Sequence, residues 1–415
     1  MKLVRIILIA MLVVCFAVPA LAADDNKATT FKEVFTKAKV WGEWRFFVFS
    51  RDFDKTTTDR EDIATGGNLH FETAPFYGIS AGFTFYTSQG MGLNDDDKAV
   101  YGLLASDSNG NHESYSVLGE TYIKAAYKGT TLKIGRQEMH TLFVNVHDIR
   151  LTPQTFMAYQ LENDSLLPDT KFTLAYVTEI KRRTSTSFET MSDFVGAHED
   201  SKVFTAGVEY KGIKGLKLKL WDAYATEIMN AIFFQADYSL KVADDFTLLF
   251  SGQYLNEQDK GDKLAGDLST DMYGLKAGFK SMGFYFHVSY NKVSDDSPAL
   301  YPWSSCPQYS SIQIFDGNRA DETTWLGKLG YDFGRLGAKG LSAYVIYADY
   351  DTPDSGAYAS PDRTETDLNL QYKFSGVMDG LSIRARMAIV DQEEDQGGED
   401  FNDYRLYIKY AFNLL

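Results

Sequence analysis

Along most of the chain, apolar and polar residues alternate one by one. Ile79, Ala81, Phe83 and Phe85 alternate with Ser80, Gly82, Thr84 and Tyr86. Phe284, Phe286, Val288 and Tyr290 alternate with Tyr285, His287, Ser289 and Asn291. Leu381, Ile383, Ala385, Met387 and Ile389 alternate with Ser382, Arg384, Arg386 and Ala388. A period of two marks a β-strand whose faces meet different surroundings, and about ten residues is what a tilted strand needs to cross a bilayer.

About 18 such runs can be followed by this rule. The first is Val40 to Arg51, the last Phe401 to Phe412, and the sixth, near Phe156 to Leu161, is the faintest. Short links such as Lys128-Gly129-Thr130, 211–215, 280–283 and 375–380 take turns with long ones such as 88–115, 138–155, 181–201 and 293–323. Only 226–230 is short where a long link is due. The pattern predicts an all-β fold, a transmembrane antiparallel up-and-down barrel of about 18 strands. Lipid meets the apolar face, water the polar face, and the sheet closes because lipid cannot satisfy an open edge. A soluble sandwich or propeller also uses alternating strands. Against it stand the strand lengths, aromatic residues near strand ends (Trp41, Trp44, Tyr290, Trp325, Tyr331, Tyr410, Phe412) and the amphipathic ending "YRLYIKYAFNLL".

The N-terminus sets the compartment. Lys2 and Arg5, the apolar stretch Ile6 to Val18 and Ala20-Leu21-Ala22 read as a secretory signal peptide, 1–22, cleaved on export. Val14 is larger than the residue a lipoprotein signal places before its cysteine, so Cys15 is read as part of that signal peptide. A leader, 23–39, follows. Its Phe31, Val34, Phe35 and Ala38 predict a short amphipathic helix that either plugs the pore from below or packs under the barrel. The barrel takes 40–415. Cys306 is then alone, so no internal disulfide is expected. The formal charge of −16 argues against nucleic acid as a partner.

No motif for bond chemistry appears. There is no HExxH, GxSxG or phosphate loop, and His140 and His147 share their loop with no cysteine or paired carboxylate at ligand spacing. No enzyme, cofactor or metal is expected. Asp95-Asp96-Asp97 and Glu393-Glu394-Asp395 read as solvated loop tips that could hold a divalent cation beside lipopolysaccharide phosphates. By strand parity the water face carries more Lys and Arg than Asp and Glu, although the chain as a whole is acidic. Arg45, Lys219, Arg384 and Arg386 are the wall cations singled out. A basic wall favours small solutes bearing a carboxylate. Arg136 breaks parity by falling with Leu132 and Ile134, so either a bulge re-aims it or it lies at the strand end.

"VLGETYIKAAYKGTTLKIGRQ" (Val117 to Gln137) and "TLFVNVHDIRLTPQTF" (Thr141 to Phe156) resemble the OprD-type outer-membrane porins of Gram-negative bacteria. The resemblance rests on Gly119-Glu120-x-Tyr122, Gly135-Arg136-Gln137 and Asp148-x-Arg150-x-x-Pro153-x-Thr155-Phe156, with echoes in "GGNLHFETAP", "KRRTSTSF" and "RLYIKYAF". It implies an 18-stranded barrel in the bacterial outer membrane, a pore narrowed by the inward-folded third and seventh long loops, and a basic ladder on the wall. It implies passage of small carboxylates, amino acids or short peptides. The third loop holds His147, Asp148 and Arg150, the seventh holds Cys306, and Arg136, Asp148 and Arg150 are the residues expected at the constriction. The expected partners are outer-membrane lipid, lipopolysaccharide and small solutes, in a monomer or a homotrimer. The alternative functions are a closed barrel acting as anchor, adhesin or receptor, and a barrel hydrolase.

Overall fold

The computed structural model describes residues 27–95 and 97–414. The expected signal peptide, the first leader residues, Asp96 and Leu415 lie outside them. Eighteen long strands follow one another: β1 Lys39–Phe53, β2 Arg60–Glu72, β3 Ile79–Gly90, β4 Tyr115–Tyr127, β5 Thr130–Gln137, β6 Thr155–Leu167, β7 Thr170–Lys181, β8 Val203–Tyr210 and β9 Leu216–Ala225. Then come β10 Met229–Ala243, β11 Phe246–Asp259, β12 Ser269–Ser281, β13 Phe284–Val293, β14 Thr323–Asp332, β15 Leu341–Asp351, β16 Arg363–Lys373, β17 Leu381–Gln392 and β18 Phe401–Asn413. Each pairs antiparallel with the next, and β18 pairs with β1 from Phe401↔Phe53 to Asn413↔Trp41. The sheet therefore closes and leaves no edge for lipid to face. The faint sixth run is a full strand of 13 residues.

β3 shows the two-faced logic most plainly. Ser80, Thr84, Tyr86 and Ser88 are buried while Ile79, Phe83 and Phe85 are exposed to the lipid side. In β4 the same logic survives a slip. Thr84 pairs with Glu120 but Phe85 with Leu118, so Gly119 is an extra residue. The bulge lets Leu118 face outward and Glu120 inward although both numbers are even. A Cβ on Gly119 would stand 2.7 Å from the Tyr86 ring, which is why only glycine fits there. At the other end of β4, Lys128 and Gly129 have φ of 43° and 73°. Positive φ at both central residues is the two-residue hairpin turn whose twist matches the strands.

The short connections lie on the same end as both termini, the periplasmic end of an even-stranded barrel. The helix α1, Phe31–Thr36, is at that end. It hangs on the connection after β2, where Ala74 N–H donates to Val34 O at 3.0 Å and Ala28 bridges Phe76. None of its six side chains is buried.

The long loops lie at the opposite end, and several fold into the lumen. β10 records this: its loop end has buried Met229, Ala231 and Phe233, and its turn end is open. These three lie on the same face as Gln235 and Asp237, so the inward face is apolar where loops cover it and polar where water fills it. One core joins Phe233, Leu255, Met272 and Val293 of the wall to Met139, Phe143 and Val144 of loop 3, Met191 of loop 4 and Trp303 of loop 7. Loops 3, 4 and 7 are 138–154, 182–202 and 294–322. The short link expected at 226–230 is a three-residue turn whose Ile228 is buried in this core.

Candidate functional site: the lumen constriction

Loop 3 is fixed first by its own sequence. Asn145 accepts the His147 N–H on its side-chain oxygen at 2.9 Å, and His147 takes φ 40°, which turns the chain inward. Asp148 then meets Arg45 of β1 end-on, Nη1 to Oδ1 at 2.6 Å and Nη2 to Oδ2 at 2.7 Å. Arg45 also donates to Glu43 at 2.5 Å and to the Arg150 carbonyl at 3.0 Å. A forked guanidinium–carboxylate pair of this kind is directional, so it fixes loop position as well as charge. Loop 7 is tied to loops 3 and 4 through Trp303, whose carbonyl accepts Asn145 N–H at 3.1 Å and whose Nε1 donates to Met191 O at 3.1 Å. Farther along loop 7, Ile314 and Phe315 N–H both donate to Glu365 of β16, at 2.9 and 3.0 Å.

A third segment enters that the sequence reading did not foresee. Tyr101, from the loop 91–114 after β3, lies buried against Phe49 and Tyr407 in a second apolar cluster. Its hydroxyl accepts from Arg51 at 2.8 Å and Arg405 at 3.0 Å, and donates to Asp403. Burial pushes the Tyr101 hydroxyl above its ordinary pKa, so it stays a neutral donor.

The cations fall into two sets. Lys124–Glu72, Lys133–Glu120, Lys171–Glu162, Lys217–Glu209, Lys409–Glu43 and Arg405–Asp403 are ion pairs of 2.5 to 3.3 Å. Lys219, Lys276 and Lys328 have no ion pair among the described residues. Lys276 lies 4.1 Å from the Tyr309 ring centre and Lys328 4.0 Å from that of Tyr344. Arg384 donates to Asn369 at 2.5 Å and to the Tyr344 hydroxyl at 3.0 Å, both neutral. Arg386 reaches Asp367 at 3.4 Å. These groups lie within electrostatic reach of one another in series, Lys219 and Lys276, then Lys328, Arg384 and Arg386, with Asp237 beside Lys276 and Asp367 beside Lys328 and Arg386. Arg386 stands opposite Arg405 in the strand register.

Arg405 in turn acts on two loop cations without carboxylate partners, Arg150 and Arg183. Burial, with Arg405 and Arg183 nearby, draws Arg150 down to about 10, and it remains charged at neutral pH. Arg183, on loop 4, donates from Nη1 to His147 Nδ1 at 3.0 Å. Burial and the neighbouring Arg183 and Arg150 hold His147 at about 3, so the ring is a neutral acceptor. Nothing among the described residues groups three His, Cys, Asp or Glu side chains for a metal.

A closed 18-stranded barrel narrowed by four inward loops, with a row of cations on its wall, invites comparison with known channels. The model of the outer membrane porin family OprD matches residues 33–414. The chain belongs to the OprD family of outer-membrane porins. It is 26% identical to Porin D of Pseudomonas aeruginosa over 401 residues, 89% of this chain and 90% of that protein. The fold also matches the crystal structures of P. aeruginosa OccK9 (OpdG), with a TM-score of 0.85 and 22% identity over 92% of this chain and all of that one, and of Acinetobacter baumannii OccAB3, with 0.82 and 20% over 92% and 100%. The P. aeruginosa OpdK structure with vanillate aligns at 0.78 and 22%, covering 91% of this chain and 99% of that one. The relatives are channels of the bacterial outer membrane, and that is where this porin resides.

Of the residues the sequence pointed to, the porin fold gathers Arg45, Asp148 and Arg150 at loop 3, and Arg384 and Arg386 on the wall with Lys219 at the far end of their row. Arg45 differs from the other wall cations in being locked by Glu43 and Asp148. Arg136 is a correction. It pairs with outward-facing Thr121, is itself exposed and stacks 4.2 Å over Phe188, so it stands on the outer face near the strand end and not at the constriction. No bulge interrupts β5 to turn it inward. Tyr101 and Arg183 escaped the sequence reading because they sit on loops. "KRRTSTSF" was the signal within reach, since it contains Arg183.

Proposed function

We propose that this porin is a passive channel for small solutes carrying a carboxylate. The observation that carries the reading is the run of cations from Lys219 through Lys276, Lys328, Arg384 and Arg386 to Arg150 and Arg183. They outnumber the acids Asp237 and Asp367 beside them, and only Arg386 is in a direct ion pair among the described residues. An unpaired cation lowers the barrier to an anion. Several in series let the anion pass from one to the next without a single deep trap, which is what conduction needs. The cation–aromatic contacts at Lys276 and Lys328 keep the ammonium groups against the wall without cancelling their charge. Vanillate, found with the related OpdK, is itself a carboxylate. The lumen performs no bond chemistry in this reading. The loop 91–114 and loops 3, 4 and 7 set the width, and the row of charge sets the selection.

The test is reversal potential in planar bilayers together with liposome swelling. Small monocarboxylates should enter faster than neutral solutes of equal size, and the preference should fade as salt rises, because the Debye length is only about 8 Å at physiological ionic strength. Cation selectivity unaffected by Arg384→Gln with Arg386→Gln would overturn the reading.

A further inference from the structure

The long loops and short turns differ in which residues they leave exposed. Five of the eight short connections carry a large apolar side chain that is half to wholly exposed: Tyr77, Ile213, Met282, Leu336 and Val377; Leu166, at the end of β6, serves a sixth turn. Val242, at the end of β10, supplies a seventh turn. The ring they form runs around the barrel and continues the aromatic girdle just above it, where Tyr331 packs on Phe333 at 5.0 Å and Tyr372 on Phe374 at 4.7 Å. Cations accompany the apolar tips. Lys211 and Lys214 flank Ile213 and form no ion pair among the described residues, whereas Arg335, which precedes Leu336, is paired with Asp245. At the one turn without an apolar tip, Lys128 lies over the outward Tyr127 ring at 5.2 Å. Of the acids in these turns, Asp244 and Asp245 are taken up by Lys241 and Arg335, and Asp169 and Asp379 lie near Leu166 and Val377.

We propose that this ring is a foot that seats the barrel on anionic phospholipid of the periplasmic leaflet. Apolar tips with adjacent Lys or Arg are the chemistry of interfacial lipid binding, where the side chain enters the acyl boundary and the cation meets the phosphate. The annular distribution selects this occupant. A protein partner would cover one sector, whereas a lipid surface meets every turn at once. The ring is also contiguous with the wall that already faces lipid.

The experiment uses the full barrel in proteoliposomes. Cys306→Ser is the background for single cysteines at Ile213→Cys, Leu336→Cys and Val377→Cys, each labelled with an environment-sensitive fluorophore, with Leu93→Cys on a long loop as control. Heat-modifiable mobility checks folding, and Met282→Cys replaces any position that fails. All turn labels should be blue-shifted, quenched by a headgroup nitroxide lipid and shielded from aqueous iodide. Phosphatidylglycerol should strengthen the nitroxide quenching, and Lys211→Gln with Lys214→Gln should abolish that gain at Ile213. Iodide quenching equal to that of the Leu93 label would overturn the proposal. So would an absence of any phosphatidylglycerol effect, or shielding on one side only that appears when periplasmic protein is added.

Discussion

The two sides of the lumen carry the same residue types and use them differently. On the side of β1 and β4 to β8, with Lys217 of β9, most wall cations face a carboxylate: Lys124 with Glu72, Lys133 with Glu120, Lys171 with Glu162, Lys217 with Glu209, Arg45 with Glu43 and Asp148. Buried Lys181 of β7 instead donates to the Pro153 and Arg182 carbonyls. On the side of β12, β14 and β17, Lys276, Lys328 and Arg384 make direct contacts with aromatic rings, an amide and a hydroxyl and form no ion pair among the described residues, with Asp237 and Asp367 farther off. A paired charge spends its field on its neighbour, an unpaired one projects into the water. The first side positions strands and loops, and the second is the side a passing anion would sense.

The comparison can be broken most forcefully at Arg45. Asp148→Asn removes half of a pair whose arginine is almost fully buried, and such losses run to about 3–5 kcal/mol when no other group compensates. Glu43 remains, so the expected result is local. Loop 3 should loosen, single-channel conductance should rise, and hydrogen exchange at 146–151 should speed up while the barrel stays folded.

Next in size is a test of which face is which. Leu368, on the middle of β16, is exposed outward beside inward Asp367. Leu368→Arg should lower stability by roughly 2–4 kcal/mol at mid-bilayer depth, read by urea unfolding in lipid. At Ile383, three residues into β17 and close to the periplasmic rim, the same change should cost about 0–1 kcal/mol.

The comparison itself is sharpened by matched substitutions. Lys276→Gln should reduce anion permeability by roughly fivefold, since one charge at contact distance in water-like surroundings is worth about 1 kcal/mol. Lys171→Gln, on the paired side, should leave the reversal potential almost unchanged. Equal shifts would dissolve the distinction between the two walls.

The smallest effect is with pH. An unfolded loop 3 protonates His147 near the ordinary value of 6.5, and the folded loop resists until about 3. The His147 contribution is therefore complete above pH 6.5 and is lost as pH falls towards 3. Exchange in loop 3, corrected for intrinsic rates, should accelerate through that window. In His147→Gln that acceleration should vanish.

The barrel was legible because a strand between lipid and water must alternate, and no other fold holds that alternation for so many long strands. Parity located Lys219, Arg384 and Arg386 on the water face, and it flagged Arg136 as the exception that proved to face outward. Three things were hidden. The Gly119 bulge reverses parity inside β4, which a count of two cannot register. The inward face turns apolar at Phe233 and Phe49 only because loops cover it. Whether a cation is paired depends on strands far apart in sequence or on loops, as with Arg45 and Asp148, so paired Lys217 and unpaired Lys219 look alike in the chain.

The closing seam between β1 and β18 has a bearing on assembly. Thirteen residue pairs join the first strand to the last, from Trp41↔Asn413 to Phe53↔Phe401. This is the longest sequence separation the chain offers, and contacts of that kind form slowly. Until β18 arrives, every nascent intermediate has two open edges, at β1 and at the newest strand, each able to pair with another chain. The final strand thus acts as a completion signal: a chain stopped short of Phe401 keeps the cation row from Lys219 to Arg386 but is expected not to become a stable resident of the bilayer.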